Sequence, residues 1–190
     1  DSAQVYIDKA LAYAIEQPNY TISIGKALTD LSLLEPAKTL YQGAMQQHPD
    51  KDYNLQLARV YGELGDLEAM FETYLTLMES TPRFIPSIQR YLETYITEDP
   101  QNQGNMLLKT ALLKRLAERP EPLYNSLLSW LFAQQKEYGK AFIQEKAIFM
   151  RSGGDLEGVK QLGYAALNDQ EHTTAKTIFD YVLTQIGRAH

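Results

Sequence analysis

The 190-residue chain contains no cysteine and only three histidines, and both scarcities restrict its chemistry. Without cysteine it can form no disulfide bond and offers no thiolate ligand or nucleophile. His48, His172 and His190 are far apart, and no pair has the i, i+4 spacing of a helical metal site. The sequence motifs of serine hydrolases and of phosphate-binding loops are also absent. We therefore predict no enzymatic activity, no metal site and no cofactor.

A long apolar run and a basic cluster are likewise missing. No hydrophobic stretch approaches the ~18–20 residues of a membrane-spanning helix, and no signal peptide is visible. The net charge is −6 and the longest basic cluster is Lys114-Arg115, whereas a nucleic-acid-binding surface needs a basic stripe. The composition thus predicts neither a membrane span nor a nucleic-acid partner.

The sequence does contain a helical pattern that is interrupted by prolines. Apolar residues recur at i, i+3, i+4 and i+7, for example at Leu57, Val60, Tyr61 and Leu64, which is the period of an amphipathic helix. No alternating strand pattern bounded by hairpin turns is present. These features predict an all-α protein with about eleven helices.

Residues 51–82 resemble one tetratricopeptide (TPR) unit over their whole length. The family's order is Leu-Gly, an aromatic, a Gly-Asp turn, a small residue, a second aromatic and a closing proline. These slots are filled by Leu57-Ala58, Tyr61, Gly65-Asp66, Met70, Tyr74 and Pro82. Ala58 and Met70 depart from the pattern. The same register fits units that start near residues 18, 85, 122 and 156, so successive starts differ by 33, 34, 37 and 34 residues, close to the family period of about 34.

The resemblance implies a right-handed superhelical solenoid of antiparallel helix pairs. Five TPR-like repeats would cover residues 18–190, and residues 1–17 would be helix B of a truncated preceding repeat. Because solenoids need capped ends, we expect one continuous array cut from a longer protein. Small residues should lie where helices approach most closely, and aromatics should fill the space between units. The third unit should be irregular, with a long turn at residues 98–105 that contains Pro100 and Gly104.

In such arrays helix A of each unit lines the concave face, which implies a set of ligand-facing positions. The candidate partner-binding residues are Lys26, Arg59, Gln89, Glu93, Ser126, Trp130, Gln134, Lys160, Tyr164 and Asn168. For any one of them, a merely solvated inner face is the alternative. The same slots also include Asp30, Asp52 and Glu63.

Four of these candidates share the ninth slot of their units. Lys26 and Arg59 would form a basic end of the groove that is suited to a carboxylate. Trp130 and Tyr164 would be neighbours able to anchor a peptide. The carboxylate clamp of chaperone-binding arrays is not matched, because its positions hold Ile22, Lys26 and Gln56.

We therefore predict a protein-interaction scaffold or adaptor whose concave groove binds a protein or peptide partner. The alternative is a structural segment that positions domains outside this stretch, with self-association through apolar surface at its ends. The thirteen tyrosines could stack on bases, but many occupy core slots of the repeat, among them Tyr41, Tyr61, Tyr74 and Tyr91. Several units also look similar to large TPR proteins of Bacteroidetes, many of them described as exported. That resemblance implies a periplasmic or cell-envelope location, and a cytoplasmic one stays open.

Overall fold

The computed structural model describes the backbone of residues 2–188 and the side chains of residues 4–187. Within these residues the chain forms eleven α-helices, one 3-10 helix at Pro82–Phe84 and no strand, which confirms the predicted all-α class. The helices are α1 (Ser2–Glu16), α2 (Pro18–Asp30), α3 (Leu34–Gln47), α4 (Asn54–Leu64), α5 (Leu67–Ser80), α6 (Ile85–Leu92), α7 (Gln103–Glu118), α8 (Pro122–Gln134), α9 (Tyr138–Ser152), α10 (Glu157–Asn168) and α11 (His172–Arg188).

Short turns join four pairs of consecutive helices into antiparallel hairpins. The pairs are α2–α3, α4–α5, α8–α9 and α10–α11. Between α4 and α5, Gly65 has a left-handed φ of 79°, and the Asp66 side chain caps α5 by accepting a hydrogen bond from the Ala69 amide at 3.1 Å. These two observations confirm the predicted Gly-Asp turn. The residue types suit it, since glycine tolerates positive φ and aspartate is a favoured helix cap.

The chain divides into two compact units, the first ending at Gln89 and the second beginning at Arg90. In the first unit α1 packs against α2 and α3, and α3 against α4. Its buried core consists of Ala14, Leu28, Ala37, Leu40, Tyr41, Ala44, Tyr53, Leu57 and Val60. In the second unit α7 packs on α8, and α9 packs on both α8 and α10.

Small residues of helix A lie under aromatic rings of helix B in both units. A Cβ atom added to Gly25 of α2 would overlap the Tyr41 hydroxyl of α3, and one added to Gly163 of α10 would lie 2.9 Å from the Phe179 ring of α11. Each aromatic follows its glycine by sixteen residues. The expected close approach is therefore present within a hairpin. Tyr41 also reaches the next hairpin, since its ring centroid lies 6.0 Å from that of Tyr53.

The tyrosines assigned to the core differ in depth. Tyr41 and Tyr74 are buried, with 2% and 1% of their surface exposed. Tyr61 and Tyr91 are half-buried. The hydroxyl of Tyr61 accepts a hydrogen bond from Gln42, and that of Tyr91 lies 3.0 Å from the Tyr95 hydroxyl. The helical period predicted that all four rings are at least partly buried, and this is confirmed. It did not predict the exposed fraction of each side chain.

The third repeat unit is irregular, as predicted, but the connection between α6 and α7 lies at residues 93–102 rather than 98–105. The shift arises because Asn102 caps α7, its side chain accepting hydrogen bonds from the Gly104 and Asn105 amides, so the helix already begins at Gln103. Asn105 is fully buried and binds the backbone of Thr97 and Asp99. The connection is therefore long but held in place by the first turn of α7.

Candidate functional site

The first unit contains a cavity of about 290 Å³ on its helix-A side, which we call the α2–α4 cavity. It brings together two of the candidate residues, Lys26 and Arg59. Its lining residues are Ile22, Lys26, Thr29, Asp30, Tyr41, Gln56, Arg59, Val60 and Glu63. Half-exposed Ile22 and buried Val60 supply apolar wall, and the buried ring of Tyr41 reaches the cavity from α3.

The charges of the α2–α4 cavity are arranged differently on its two helices. On α2 the Lys26 ammonium donates to the Asp30 carboxylate at 2.6 Å, so this pair is neutral as a unit. On α4, Arg59 and Glu63 are both exposed, and neither has a hydrogen bond or an ion pair with any residue that the structure describes. The basic end expected from the sequence is therefore a mixed site in which Arg59 is the uncommitted cation.

A second cavity of about 300 Å³ adjoins the first, since Gln56 lines both. This α4–α5 cavity is lined by Asp52, Leu55, Gln56, Leu77, Thr81, Arg83 and Phe84. The Arg83 guanidinium lies 5.0 Å from the centre of the Phe84 ring, a cation–π contact that covers part of the apolar wall. The first unit thus carries two neighbouring depressions that share Gln56 in their linings.

Six candidates lie on two helices of the second unit, three on α8 and three on α10. Ser126 and Gln134 of α8 and Tyr164 and Asn168 of α10 are exposed, whereas Trp130 and Lys160 are half-buried. The Lys160 ammonium lies 2.6 Å from the Glu157 carboxylate, and this hydrogen bond raises the pKa of Lys160 above its ordinary value.

The two ninth-slot aromatics of the second unit therefore differ in depth. Tyr164 is 54% exposed and rests edge-on against Phe179, with ring centroids 5.2 Å apart. Half-buried Trp130 has less of its indole free for a ligand than Tyr164 has of its phenol ring.

Two candidates lie around α6. Gln89 is on the helix and half-buried, whereas Glu93 is exposed and follows the last helical residue, Leu92. Glu93 is therefore carried by the long connection 93–102 and not by a helix face.

Several lining residues were not selected from the sequence. Ile22 and Gln56 entered the sequence argument only as mismatches to a chaperone clamp, yet both line the α2–α4 cavity. Arg83 and Phe84 belong to a 3-10 turn that the helical period does not register. Slots five and six of each repeat would have identified the first two, but no local signal marks the second two.

The part of the chain that the structure describes contains no group of three or more His, Cys, Asp or Glu side chains placed to hold a metal ion. None of its helices combines the length and the apolar character that crossing a membrane requires.

The chain was compared with known proteins. No protein-family model and no curated protein sequence matches it. Among solved structures it is similar to a thermophilic TPR protein of Thermus thermophilus, with 21% sequence identity over 88% of this chain and 90% of that one, and a TM-score of 0.39. A likeness at this level does not establish the family of the chain, whose helical hairpins, turns and small-residue contacts are those described above.

Proposed function

We propose that the protein is an interaction scaffold and that the α2–α4 cavity receives a side chain of a bound peptide or protein segment. The observation that carries the proposal is the cavity itself, which combines an apolar wall with the cation Arg59, unpaired among the described residues, between α2 and α4. Pockets for individual side chains give extended or helical peptides their specificity on such surfaces. A volume of about 290 Å³ is enough for one large side chain.

The cavity chemistry supports binding rather than catalysis. The Thr29 hydroxyl donates to the Gly25 carbonyl of its own helix at 3.0 Å, and the Tyr41 hydroxyl is packed over Gly25. Among the described residues that line the cavity there is no imidazole and no thiol. The lining carboxylates, Asp30 and Glu63, accept no hydrogen bond from the Thr29 or Tyr41 hydroxyl, so a nucleophile beside a general base, the usual arrangement for group transfer, is not formed by these side chains.

In the second unit, Trp130 and Tyr164 are proposed as a further contact region. Exposed aromatic rings contribute strongly to protein interfaces because they bury a large area with few rotatable bonds. Tyr164 is the better candidate of the two, since 54% of its surface is exposed.

A second candidate function is self-association or the positioning of other domains. Its supporting observation is the exposed apolar surface of the first and last helices. Tyr6 of α1 and Leu183 of α11 are 70% and 67% exposed. A second copy or an adjoining segment could cover these side chains.

The experiment for the scaffold proposal places a photo-cross-linking amino acid at Ile22, in the cavity wall, in cells that produce the protein. The matched control carries the same amino acid at Gln46, which is exposed on α3 of the same unit. We expect a discrete cross-linked partner from Ile22 that is lost with Arg59→Glu and is absent from Gln46. Equal products from both positions, or no product from Ile22, would contradict a role for this cavity.

The Bacteroidetes resemblance adds a proposed location in the periplasm or cell envelope. Fractionation of cells that produce the full-length protein, with a cytoplasmic and a periplasmic marker followed in parallel, tests it. Recovery with the cytoplasmic marker alone would rule the envelope location out.

A further inference from the structure

The α2–α4 cavity has a fixed order of side-chain types along each of its helices. On α2 the order is Ile22, Lys26 and Asp30, and on α4 it is Gln56, Arg59 and Glu63. Both helices thus present an uncharged position, then a cation, then a carboxylate. The cations come from equivalent slots of the two repeats, and so do the carboxylates.

Only one of the two helices has charges available to a ligand. Lys26 and Asp30 neutralise each other through a 2.6 Å contact. Arg59 and Glu63 also lie four residues apart, yet neither is engaged by another residue in the described part of the chain. Two opposite, uncommitted charges at the rim of an apolar pocket favour a ligand that carries the two complementary charges.

The spacing of these charges selects a ligand geometry. Four residues of α-helix advance about 6 Å, which separates the Arg59 and Glu63 positions along α4. In an extended peptide, residues i and i+2 point to the same side and lie about 6.6 Å apart. One acidic and one basic side chain at i and i+2 can therefore face Arg59 and Glu63 together.

We infer that the partner segment is an extended peptide with an acidic and a basic side chain two residues apart, bound along α4. The acidic side chain pairs with Arg59 and the basic one with Glu63, while the residue between them faces away from α4. This inference rests on the proposed scaffold function and specifies which partner chemistry the α2–α4 cavity recognises.

The test uses four synthetic peptides with blocked termini that are identical except at two positions, which read Glu-x-Lys, Lys-x-Glu, Glu-x-Glu and Lys-x-Lys. Binding is measured by titration of the isotope-labelled protein in NMR spectra at low ionic strength, where exposed pairs are least screened. We expect one mixed order to bind roughly tenfold more tightly than the other, because two favourable exposed pairs replace two unfavourable ones. Both like-charged peptides should fall between the two.

Charge exchange in the protein is the decisive variant. Arg59→Glu with Glu63→Arg should invert the preference between Glu-x-Lys and Lys-x-Glu without abolishing binding. The matched control, Lys176→Asp with Asp180→Lys, exchanges the charges of a self-neutralised pair on α11, outside the cavity, and should leave the preference unchanged.

Three outcomes would overturn the inference: equal binding of the four peptides, no detectable binding at millimolar concentration, or no inversion in the exchanged variant. None of them would remove the proposed function if Ile22 still cross-links a partner. Absence of that cross-link, by contrast, would defeat both.

Discussion

At the scale of single residues, two helices can pack closely only because glycine leaves no room-filling side chain at the point of contact. Gly25 and Gly163 each lie in helix A beneath a helix-B aromatic, and a Cβ at either position would come within 3 Å of the ring. The ring over Gly25 belongs to Tyr41, which is almost completely buried. Overpacking of this kind displaces side chains and backbone and is destabilising.

Gly25→Ala should therefore lower the free energy of unfolding by about 1–2 kcal/mol, as overpacking of about 1–3 kcal/mol is partly offset by the better helix propensity of alanine. Gly139→Ala is the control, because a Cβ there meets no atom within 4 Å. It should be neutral or stabilising by up to ~1 kcal/mol. Urea unfolding followed by circular dichroism measures both, and equal effects would refute the close-approach argument.

The ninth-slot aromatics of the second unit give a second prediction at this scale. Tyr164→Ala should reduce stability by about 1 kcal/mol, since a mostly exposed ring loses mainly its edge contact with Phe179. Trp130→Ala should be the more destabilising change because that indole is half-buried, approaching the ~3–5 kcal/mol of a core aromatic. Thermal unfolding of the two variants decides the order, and a larger loss for Tyr164→Ala would show that the packing of this face is misassigned.

At the scale of elements, turns of the second unit are connected by a polar cluster. The Tyr138 hydroxyl, at the start of α9, donates to the Asp169 carboxylate after α10 at 2.6 Å. Lys136 lies 2.8 Å from Glu98 of the long connection and 3.9 Å from Asp169. Burial, reinforced by the bond to Asp169, raises the pKa of Tyr138 above its ordinary range. The cluster therefore joins three connections of the second unit.

This cluster predicts a loss of stability at alkaline pH. Because the folded state disfavours the Tyr138 phenolate, the unfolded chain releases this proton first, near pH about 10. Stability contributed by the neutral phenol is complete below that pH and is lost as the pH rises further. Tyr138→Phe should show a shallower decline in unfolding free energy above pH ~10 than the unmodified protein.

The same variant should be less stable near neutrality, by about 1–2 kcal/mol, because a hydrogen bond to a carboxylate is removed. Tyr6→Phe serves as the control, as that ring is 70% exposed. It should reproduce the alkaline slope of the unmodified protein. Identical slopes for all three proteins would mean that the Tyr138–Asp169 contact does not couple to folding.

At the scale of the whole molecule, many apolar side chains are buried, but those on one side of the first and last helices are exposed. The first unit buries a continuous core from Ala14 to Val60, yet the outer side of α1 exposes Val5, Tyr6 and Tyr13 by half or more. On α11, Leu183 is 67% and Ile186 47% exposed. Apolar side chains grouped on one helix favour contact with another protein surface.

We expect the chain to associate with itself as its concentration rises, and Tyr6→Lys and Leu183→Lys to weaken that association. Light scattering at a series of concentrations measures the average mass. Thr39→Lys, at an exposed polar position of α3, adds the same charge without removing apolar surface and should leave the mass unchanged. A constant monomeric mass at all concentrations would remove the self-association hypothesis.

The sequence by itself determined the helical class, the hairpins and most of their limits, because these depend on local period, proline and the Gly65-Asp66 turn. It also selected Lys26 and Arg59 as neighbours on one face. The sequence did not predict the position of the long connection, because that position depends on hydrogen bonds from the Asn105 side chain to the Thr97 and Asp99 carbonyls across a loop.

Only the tertiary structure decided what the selected residues can do. Sequence register treats Lys26 and Arg59 as equivalent, but the fold leaves Lys26 paired with Asp30 and Arg59 uncommitted. It also placed Ile22, Gln56 and Tyr41 around the same cavity. Register fixes which side of a helix a residue occupies, whereas partners and cavities arise from side-chain conformations and from helices distant in sequence, and no local pattern encodes them.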